Sequence, residues 1–510
     1  MPRTLALAAG IALPLCLAGQ GAFADLTPQQ VWTDWKTYMQ GVGYTVEGSE
    51  SVSGGDLTIS EIKLSFDAPD GQGDMEVMLD QIAFQQNGDG SVAIVFPDTL
   101  PIKVSGTEGF DGGDAIDISM VLTQSGHSMV ASGDPNDLTY AYEAATVGLS
   151  LDQVMVDGDA VEAGTAKMNV TGTSVSNTTT MILGEMRNYK QSSSIEEVSY
   201  SLAVDTPEDG GQQVDMSGTL QGLSVTGEGQ IPLTIPEAAD MVTLLDAGLD
   251  VVATISFQNG SGQIDAQTPE DGNFSAQTSS KSGAFSVNVN DTALGYAGEQ
   301  KNLQISAKGG TFPFPVEFAM AENAFNLSFP VRKAEEPQDF AVGVKMGEFT
   351  MSEILWGFFD PQAQLPRDPA TIALDLTGQM KLLVDFMDPS AGPDMMGAPG
   401  ELKALNLNQV LVDAVGAKLE GSGAITMDGD APGIVPGVGS PVGSVDLALS
   451  GANGLIDTLI AMGILPQEQA MGARMMMGVF AVPGDGPDTL KSKIDFTKEG
   501  QILANGQRIR

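Results

Sequence analysis

Apolar residues occupy every second position in many short segments of this chain, and few folds accommodate that pattern. Three such sets are Ile116, Ile118, Met120 and Leu122; Val198, Tyr200, Leu202 and Val204; and Phe285, Val287 and Val289. A period of two places the apolar side chains of each set on one face of a β-strand. Turns such as Asn87-Gly88-Asp89-Gly90 separate the sets and are typical of hairpins. The sequence therefore predicts a mainly β fold of large curved antiparallel sheet, with a few short helices at the joints.

The longest alternating run lies in the second half of the chain, from Ile372 to Phe386. Its even positions are apolar apart from Gly378, and its odd positions are mostly polar. Such a run, at about 3.3 Å per residue, spans roughly 50 Å, whereas strands usually have five or six residues. We predict that this strand belongs to a large sheet with one apolar face, because a compact sandwich does not need such length.

A helix is predicted directly before the first strands. Thr27 and Gln30 form a capping box with Pro28 at the first helical position, and apolar residues, including Trp32 and Trp35, follow at helical spacing. Because interfacial helices favour basic faces and this one is not basic, we predict that it packs on the protein's own sheet.

A helix pair is predicted near the C-terminus. Asn453 is expected to cap the first helix, and Pro466 is expected to start the second. The second helix carries a methionine-rich stripe, which we interpret as adaptable core packing. Its apolar residues are Met471, Met475, Met476, Met477 and Val479.

The segment "LWGFFDPQAQLPRDPATIALDL", residues 355–376, is unusually aromatic for this chain. Thr350 and Glu353 predict a capping box, and Asp360, before a proline, is expected to end the helix. We hypothesise that this helix closes one end of an apolar, ligand-binding sheet face; the alternative is that helix and strand simply bury each other. The candidate ligand-binding residues are Trp356, Phe358, Phe359, Leu374, Leu376, Leu382 and Val384.

Residues 1–24 have the features of a cleaved secretory signal peptide. A positive residue, Arg3, precedes the apolar run from Leu5 to Leu17, and a small-residue cleavage signal ends at Ala24. Cys16 raises the alternative of a lipoprotein, but Leu15 occupies the position where such a signal has a small residue. We therefore expect a periplasmic protein whose mature chain has no cysteine and no disulfide.

Domain organisation follows a change in composition. The part from residue 25 to residue 310 is rich in Asp, Ser and Thr, and the part from 311 to 510 is more apolar. Gly309-Gly310 marks the expected boundary between two β-rich regions.

The charge balance limits the partners. With 23 basic and 66 acidic residues, the net charge is −43, which repels nucleic acid and anionic headgroups. Beyond the signal, no apolar run is long enough for a spanning helix, so we do not expect an integral membrane protein after cleavage.

No pattern of residues indicates a reaction. His127, the only histidine, lies in a Gly/Ser-rich turn and is expected to be a surface residue. Met471 with Met475 could bind a soft metal, and the acidic clusters Asp111, Asp114 and Asp117, or Asp428 and Asp430, could bind calcium, but core packing and solvated turns are favoured. We therefore expect no enzyme activity, no metal and no cofactor.

Three segments at the start, middle and end of the chain resemble one uncharacterised proteobacterial exported family, the domain-of-unknown-function family numbered 2125. They are "LTPQQVWTDWKTYMQGVGY", "LWGFFDPQAQLPRDPATIALDLTG", and "GANGLIDTLIAMGILPQ" with "KIDFTKEGQILANGQRI". The resemblance implies a periplasmic β-rich protein and implies no reaction, cofactor or site residue. The last segment also resembles AsmA-like envelope proteins, which implies sheets that expose an apolar face to lipid.

Two functions remain nearly level on these observations. The first is an envelope protein that shields or carries lipid along an apolar sheet face. The alternative is a structural or partner-binding periplasmic scaffold, whose partner would be another envelope protein. An enzyme with a site built from Asp, Glu, Lys or Tyr alone ranks behind both.

Overall fold

A computed structural model describes residues 26–67, 74–106, 115–162, 164–206, 211–235, 240–269, 272–310, 312–388, 399–428 and 439–510. Strands make up 67% of the structure and helices 12%, and the strands are antiparallel, so the predicted fold class is confirmed. The predicted signal peptide with Cys16 lies outside the described residues, as do the candidate calcium ligands Asp111, Asp114 and Asp430. Within the described ranges, no helix is long and apolar enough to cross a bilayer.

The chain forms two compact units that divide between residues 275 and 276, except that residues 240–242 belong to the second unit. The division between residues 242 and 243 lies in helix α2 (Met241–Asp246), and that between 275 and 276 lies in strand β15 (Gly272–Ser280). The predicted boundary at residue 310 falls inside the second unit.

The first unit has one long helix, α1 (Pro28–Gly41), and a meandering sheet. Its strands are β1 (Thr45–Ser53), β2 (Asp56–Asp67), β3 (Asp74–Gln86), β4 (Val92–Val95), β5 (Thr99–Gly106), β6 (Ile116–Ser125), β7 (Ser128–Asp134), β8 (Asp137–Val156), β9 (Asp159–Ala160), β10 (Ala166–Leu183), β11 (Met186–Thr206), β12 (Gln212–Pro232), β13 (Asp250–Phe257) and β14 (Asn259–Thr268). The order β1-β2-β3-β5-β6-β8-β10-β11-β12-β14 runs through neighbouring strands.

In the second unit, consecutive long strands pair as hairpins. Its elements are β16 (Ser282–Val289), β17 (Ala293–Gly309), β18 (Phe312–Pro330), β19 (Gln338–Met351), α3 (Glu353–Phe359), β20 (Ala370–Leu382), β21 (Gly400–Ala414), β22 (Ala417–Asp428), β23 (Ser440–Ser450), α4 (Ala452–Ala461), α5 (Gln467–Phe480), β24 (Val482–Pro483), β25 (Thr489–Phe496), β26 (Ile502–Ala504) and β27 (Gln507–Arg508). From β16 to β23 each strand pairs with the next, and β23 then pairs with β25 and β25 with β26.

Helix α1 packs on the sheet of the first unit, as predicted. The capping box is present: the Gln30 backbone N–H donates to Thr27 Oγ1 at 3.3 Å, and the Thr27 N–H donates to Gln30 Oε1 at 2.9 Å. Trp32 and Trp35 are buried, and their rings lie 5.9 and 5.5 Å from the ring of Phe84 in β3. The helix therefore stabilises a core formed by its own sheet.

A buried ion pair fastens α1 to two strands. Arg187 of β11 donates to Asp34 of α1 at 2.7 Å, and the Tyr140 hydroxyl of β8 donates to the other carboxylate oxygen at 2.8 Å. The Arg187 guanidinium also lies 4.8 Å above the Tyr38 ring. Burial raises the pKa of Tyr140 well above its usual value, and the Asp34 carboxylate raises that pKa further. Tyr140 therefore stays protonated and acts as a donor.

β-Bulges that contain a residue with positive φ keep apolar side chains on one face of the sheet where the spacing between them is odd. Ile59 and Ile62 are both buried in the same cluster although one number is odd and the other even. Between them Glu61 has φ 53°, and the register of β2 against β1 shifts there by one residue. The extra residue in one strand shifts the alternation by one, so the apolar side chains after the bulge point to the same face as those before it. Glu348, with φ 54° in β19, lies at a similar shift in the second unit.

Two predicted boundaries are wrong. The N-cap position of α3 is Ser352, whose side chain makes no capping hydrogen bond, and not Thr350, because Thr350 still pairs with Ala319 in the sheet. Strand β20 ends at Leu382 and does not reach Phe386. The Phe386 N–H donates instead to the Val331 carbonyl at 2.9 Å, in the connection after β18.

The C-terminal helix pair also differs from the prediction. The N-cap of α4 is Gly451, not Asn453, and the remote Asp488 carboxylate accepts from the backbone N–H groups of Asn453 and Gly454 at 3.1 and 2.9 Å. In α5 the only buried residue is Ala470. Met471, Met475, Met476 and Val479 are exposed and Met477 is half-buried, so the interpretation of these residues as core packing is wrong.

Candidate functional site

One face of the second unit's sheet carries a row of apolar residues across ten strands, with a glycine, Gly423, at one position. We call this set the central row; each member lies directly opposite the next, from β16 to β26. It consists of Val287, Tyr296, Leu327, Val342, Leu376, Leu407, Gly423, Val445, Ile494 and Ala504. Directly opposed residues of antiparallel strands share a face, so these side chains line one surface.

A second row runs beside it, and we call it the flanking row. It consists of Phe285, Gly298, Phe325, Val344, Leu374, Val410, Gly421, Leu447 and Ser492. In β21 the members of the two rows, Leu407 and Val410, are three residues apart, and a bulge at this point compensates for the odd spacing. We call the surface formed by both rows the apolar face.

The apolar face remains accessible to solvent. In the central row only Ala504 is buried, and the other nine residues are half-buried. In the flanking row Phe325 is 39% exposed and Val344 is 48% exposed. The main buried cluster of the described residues, by contrast, lies entirely between Leu26 and Met181 in the first unit. The alternation of the second unit therefore produces an open surface and not a dry core.

Two glycines let aromatic rings lie flat on this surface. A Cβ at Gly298 would lie 2.5 Å from Cε1 of Phe325, and one at Gly378 would lie 2.6 Å from Cε1 of Phe340. Each ring thus covers a cross-strand glycine. The Phe340 ring is also nearly parallel to that of Phe329, at 6.4 Å between centroids. The result is a shallow apolar surface and not a deep cavity.

Charged residues lie on the opposite face and are paired there. Lys301 donates to Glu322 at 2.6 Å, and Lys345 forms an ion pair with the same carboxylate. These hydrogen bonds lower the pKa of Glu322. Lys345 neighbours Val344 along β19, and residues in succession on a strand point to opposite faces. The two rows thus contain no charged residue, whereas the opposite face of β17, β18 and β19 carries paired charges.

The predicted ligand-binding residues divide into two groups. Leu376 belongs to the central row and Leu374 to the flanking row, so both lie on the apolar face. Leu382 is buried at the end of β20, and Val384 lies beyond the strand. The structure thus brings two of the four predicted strand residues together.

The three aromatic residues of α3 lie beside β18. Phe358 stacks on Phe314 at 4.6 Å between ring centroids, yet Phe358 and Phe359 are 63% and 61% exposed. Trp356 is half-buried beneath the Arg367 guanidinium, which lies 5.5 Å from its ring. The helix therefore packs along the start of β18 and leaves two rings in solvent.

The Asp-Pro loop after α3 is a rigid joint. Asp360 is fully buried, and its two carboxylate oxygens accept from the backbone N–H groups of Gln364 and Leu365, each at 2.8 Å. Arg367 donates to the Asp360 carbonyl at 3.3 Å and forms an ion pair with Glu353. These contacts close the loop on itself, so this part of the aromatic segment has a structural role.

Replacing Asp360 with alanine should lower the free energy of unfolding by about 1–3 kcal/mol, because it removes the buried carboxylate that accepts from two backbone N–H groups of the loop. Asp368, which also precedes a proline, is exposed and provides a matched control. Urea unfolding of both variants measures the difference. Equal free energies of unfolding for D360A and D368A would contradict the structural role of the Asp360 carboxylate.

The described residues offer little catalytic or metal-binding chemistry. Within the described ranges, no group of three or more His, Cys, Asp or Glu side chains is placed to hold a metal ion. His127 was expected on the surface but is half-buried. Its Nε2 lies 3.3 Å from the Phe96 carbonyl, and its Nδ1 lies 3.6 Å from Asp98. Its ring also stacks on Tyr142. These contacts explain why a histidine in a Gly/Ser turn is fixed in place.

Sequence reasoning missed most of the apolar face. Val342, Leu407 and Val445 show the alternation, but nothing in a single sequence aligns them across strands. Comparisons with protein-family models, with curated proteins and with solved structures gave no match. The site is therefore defined by its geometry alone.

Proposed function

We propose that this protein is a non-enzymatic periplasmic protein that binds the hydrocarbon chains of lipids along the apolar face. The main support for this proposal is the central row, in which nine apolar residues and Gly423 lie in register across ten strands and all except Ala504 are half-buried. Contiguous exposed apolar surface of this kind is rare on monomeric proteins and marks interaction sites.

The dimensions of the face suit extended chains. Ten strands at about 4.8 Å separation span roughly 40–45 Å along the central row. A bilayer's hydrocarbon core is about 30 Å thick, so one acyl chain of one leaflet reaches about 15 Å. A single chain therefore covers only part of the row, and the face has room for more than one.

The distribution of charge favours binding of a lipid through its acyl chain and not through its headgroup. The cations nearest to the rows, such as Lys345, are paired with carboxylates on the opposite face. A net charge of −43 also disfavours strongly anionic headgroups. Apolar contact along the rows is thus the main source of affinity, and headgroups would stay in water.

Titration of the delipidated protein with a fluorescent fatty acid tests this proposal. We expect saturable binding with a blue-shifted emission, because the probe leaves water for the apolar face. Unlabelled lipid should displace the probe whether it is a zwitterionic phospholipid or an uncharged diacylglycerol. Absence of saturable binding would favour the alternative, a scaffold that binds another envelope protein.

A further inference from the structure

Helix α5 exposes an apolar stripe that no other described element covers. Met471, Met475 and Val479 follow at one-turn spacing and are 63%, 66% and 50% exposed, and Met476 beside them is also exposed. Ile464, in the connection from α4, is exposed as well. We call these five residues the methionine stripe. Met side chains adapt to irregular apolar surfaces, which suits a docking surface better than a fixed core.

The stripe is held rigidly on the side of the sheet that carries the apolar face. Ser492 belongs to the flanking row, and its hydroxyl donates to the carbonyl of Phe480, the last residue of α5, at 2.6 Å. Arg474 donates to Asp457 at 2.6 Å and so joins α5 to α4. Because the helix pair is fixed at both ends, the stripe is already formed before it meets a partner.

The helix pair is nearly uncharged in a very acidic chain. Residues 452–480 contain one basic residue, Arg474, and two acidic residues, Asp457 and Glu468, a net charge of 1 − 2 = −1. The whole chain has a net charge of −43. The helix pair is therefore a part of the surface that can approach a bilayer without strong repulsion.

We propose that the methionine stripe docks on the surface of a lipid bilayer, with its side chains at the boundary between headgroups and acyl chains. The stripe contains only thioether and aliphatic side chains, so it offers apolar contact without the hydrogen-bonding and charged groups that orient a protein partner. A second copy of the chain would bring two strongly negative proteins together. A bilayer requires only apolar contact, and it is also the source of the chains that the apolar face takes up.

The inference rests on the proposed function, and it predicts an unusual form of membrane binding. Most interfacial helices add attraction between a basic face and anionic lipid. Here the polar side of α5 has no excess of positive charge, so binding should be as strong on zwitterionic as on anionic vesicles, or stronger. It should also be insensitive to salt.

Co-sedimentation of the full-length protein with phosphatidylcholine vesicles tests the docking. The double substitution Met471→Gln, Met475→Gln keeps side-chain length and should reduce the bound fraction by about tenfold or more. Met78→Gln is the control, because Met78 is an exposed methionine in β3 of the first unit. Equal binding of the double variant and the wild type to vesicles would overturn the inference. A wild-type dimer in ultracentrifugation that the double variant does not form would also overturn it, because the stripe would then bind a second copy of the chain.

Fatty-acid titration separates this inference from the function on which it rests. The double variant should bind the fluorescent fatty acid as the wild type does, since the stripe lies outside both rows. If the wild type binds vesicles but not the fatty acid, the docking stands and the proposed function fails. If the double variant loses both activities, the stripe is part of the ligand site and not a separate docking surface.

Discussion

Replacing Asp34 with alanine should lower the free energy of unfolding of the first unit by about 3–5 kcal/mol. Asp34 and Arg187 have side chains only 6% and 5% exposed, and they are 2.7 Å apart. Removing the carboxylate leaves a buried guanidinium without its counter-charge and leaves the Tyr140 hydroxyl without its acceptor. Both groups then bear a desolvation cost that nothing offsets.

Urea unfolding followed by tryptophan fluorescence measures this change, because Trp32 and Trp35 are buried on the same helix as Asp34. Glu228→Ala provides the control. Glu228 pairs with Lys190 of β11 at 3.0 Å, but both side chains are largely exposed, so little change is expected. A stability loss in D34A no larger than in E228A would show that the ion pair does not fasten α1 to the sheet.

Replacing Leu376 with aspartate should abolish binding of the fluorescent fatty acid and leave the protein folded. Leu376 lies in the middle of the central row, between Val342 of β19 and Leu407 of β21. A carboxylate at this point keeps its water on an open surface, but a bound acyl chain would have to displace that water. The desolvation of an unpaired charge costs several kcal/mol, enough to cancel the apolar contacts of the chain.

The control for this experiment lies one residue away on the neighbouring strand. Asn406, which precedes Leu407 in β21, is exposed, and Asn406→Asp adds the same charge to the opposite face with almost no change in shape. N406D should bind the fatty acid like the wild type. Global unfolding of L376D, measured by circular dichroism, would show that the central row is a buried core and would contradict the open apolar face.

The alternation of apolar residues predicts most of the strands because it is a local property. Phe285 to Val289, for example, form part of β16 as expected. Helix α1 is predicted correctly for the same reason: Thr27, Pro28 and Gln30 act within one turn. Interactions of this range are readable in a single sequence.

The register between strands could not be predicted, because it depends on where bulges occur. Leu407 and Val410 reach one face only because β21 contains an extra residue between them. Glu61 and Glu348 adopt positive φ at similar points, although glutamate has no preference for that conformation. Tertiary pairing imposes these conformations, so the continuity of the rows appears only in three dimensions.

Contacts between distant residues explain the remaining errors. The buried pair of Asp34 with Arg187 joins residues 153 positions apart, and the cap of α4 comes from Asp488 across 34 or 35 positions. In α5, Ala470 is buried and Met475 is exposed, which is the reverse of what their hydrophobicity suggests. Helical spacing shows that one side of α5 is apolar, but it does not show whether that side meets protein or solvent.

The most direct test of the open apolar face is a count of the lipid that the protein carries. The protein would be purified without detergent from the envelope of its own host, and mass spectrometry of the intact complex and of its organic extract would count the bound molecules. The account predicts at least one acyl-chain lipid for each protein molecule, with mixed headgroups and loss of that lipid in L376D. Folded wild-type protein that carries no lipid in both measurements would contradict it.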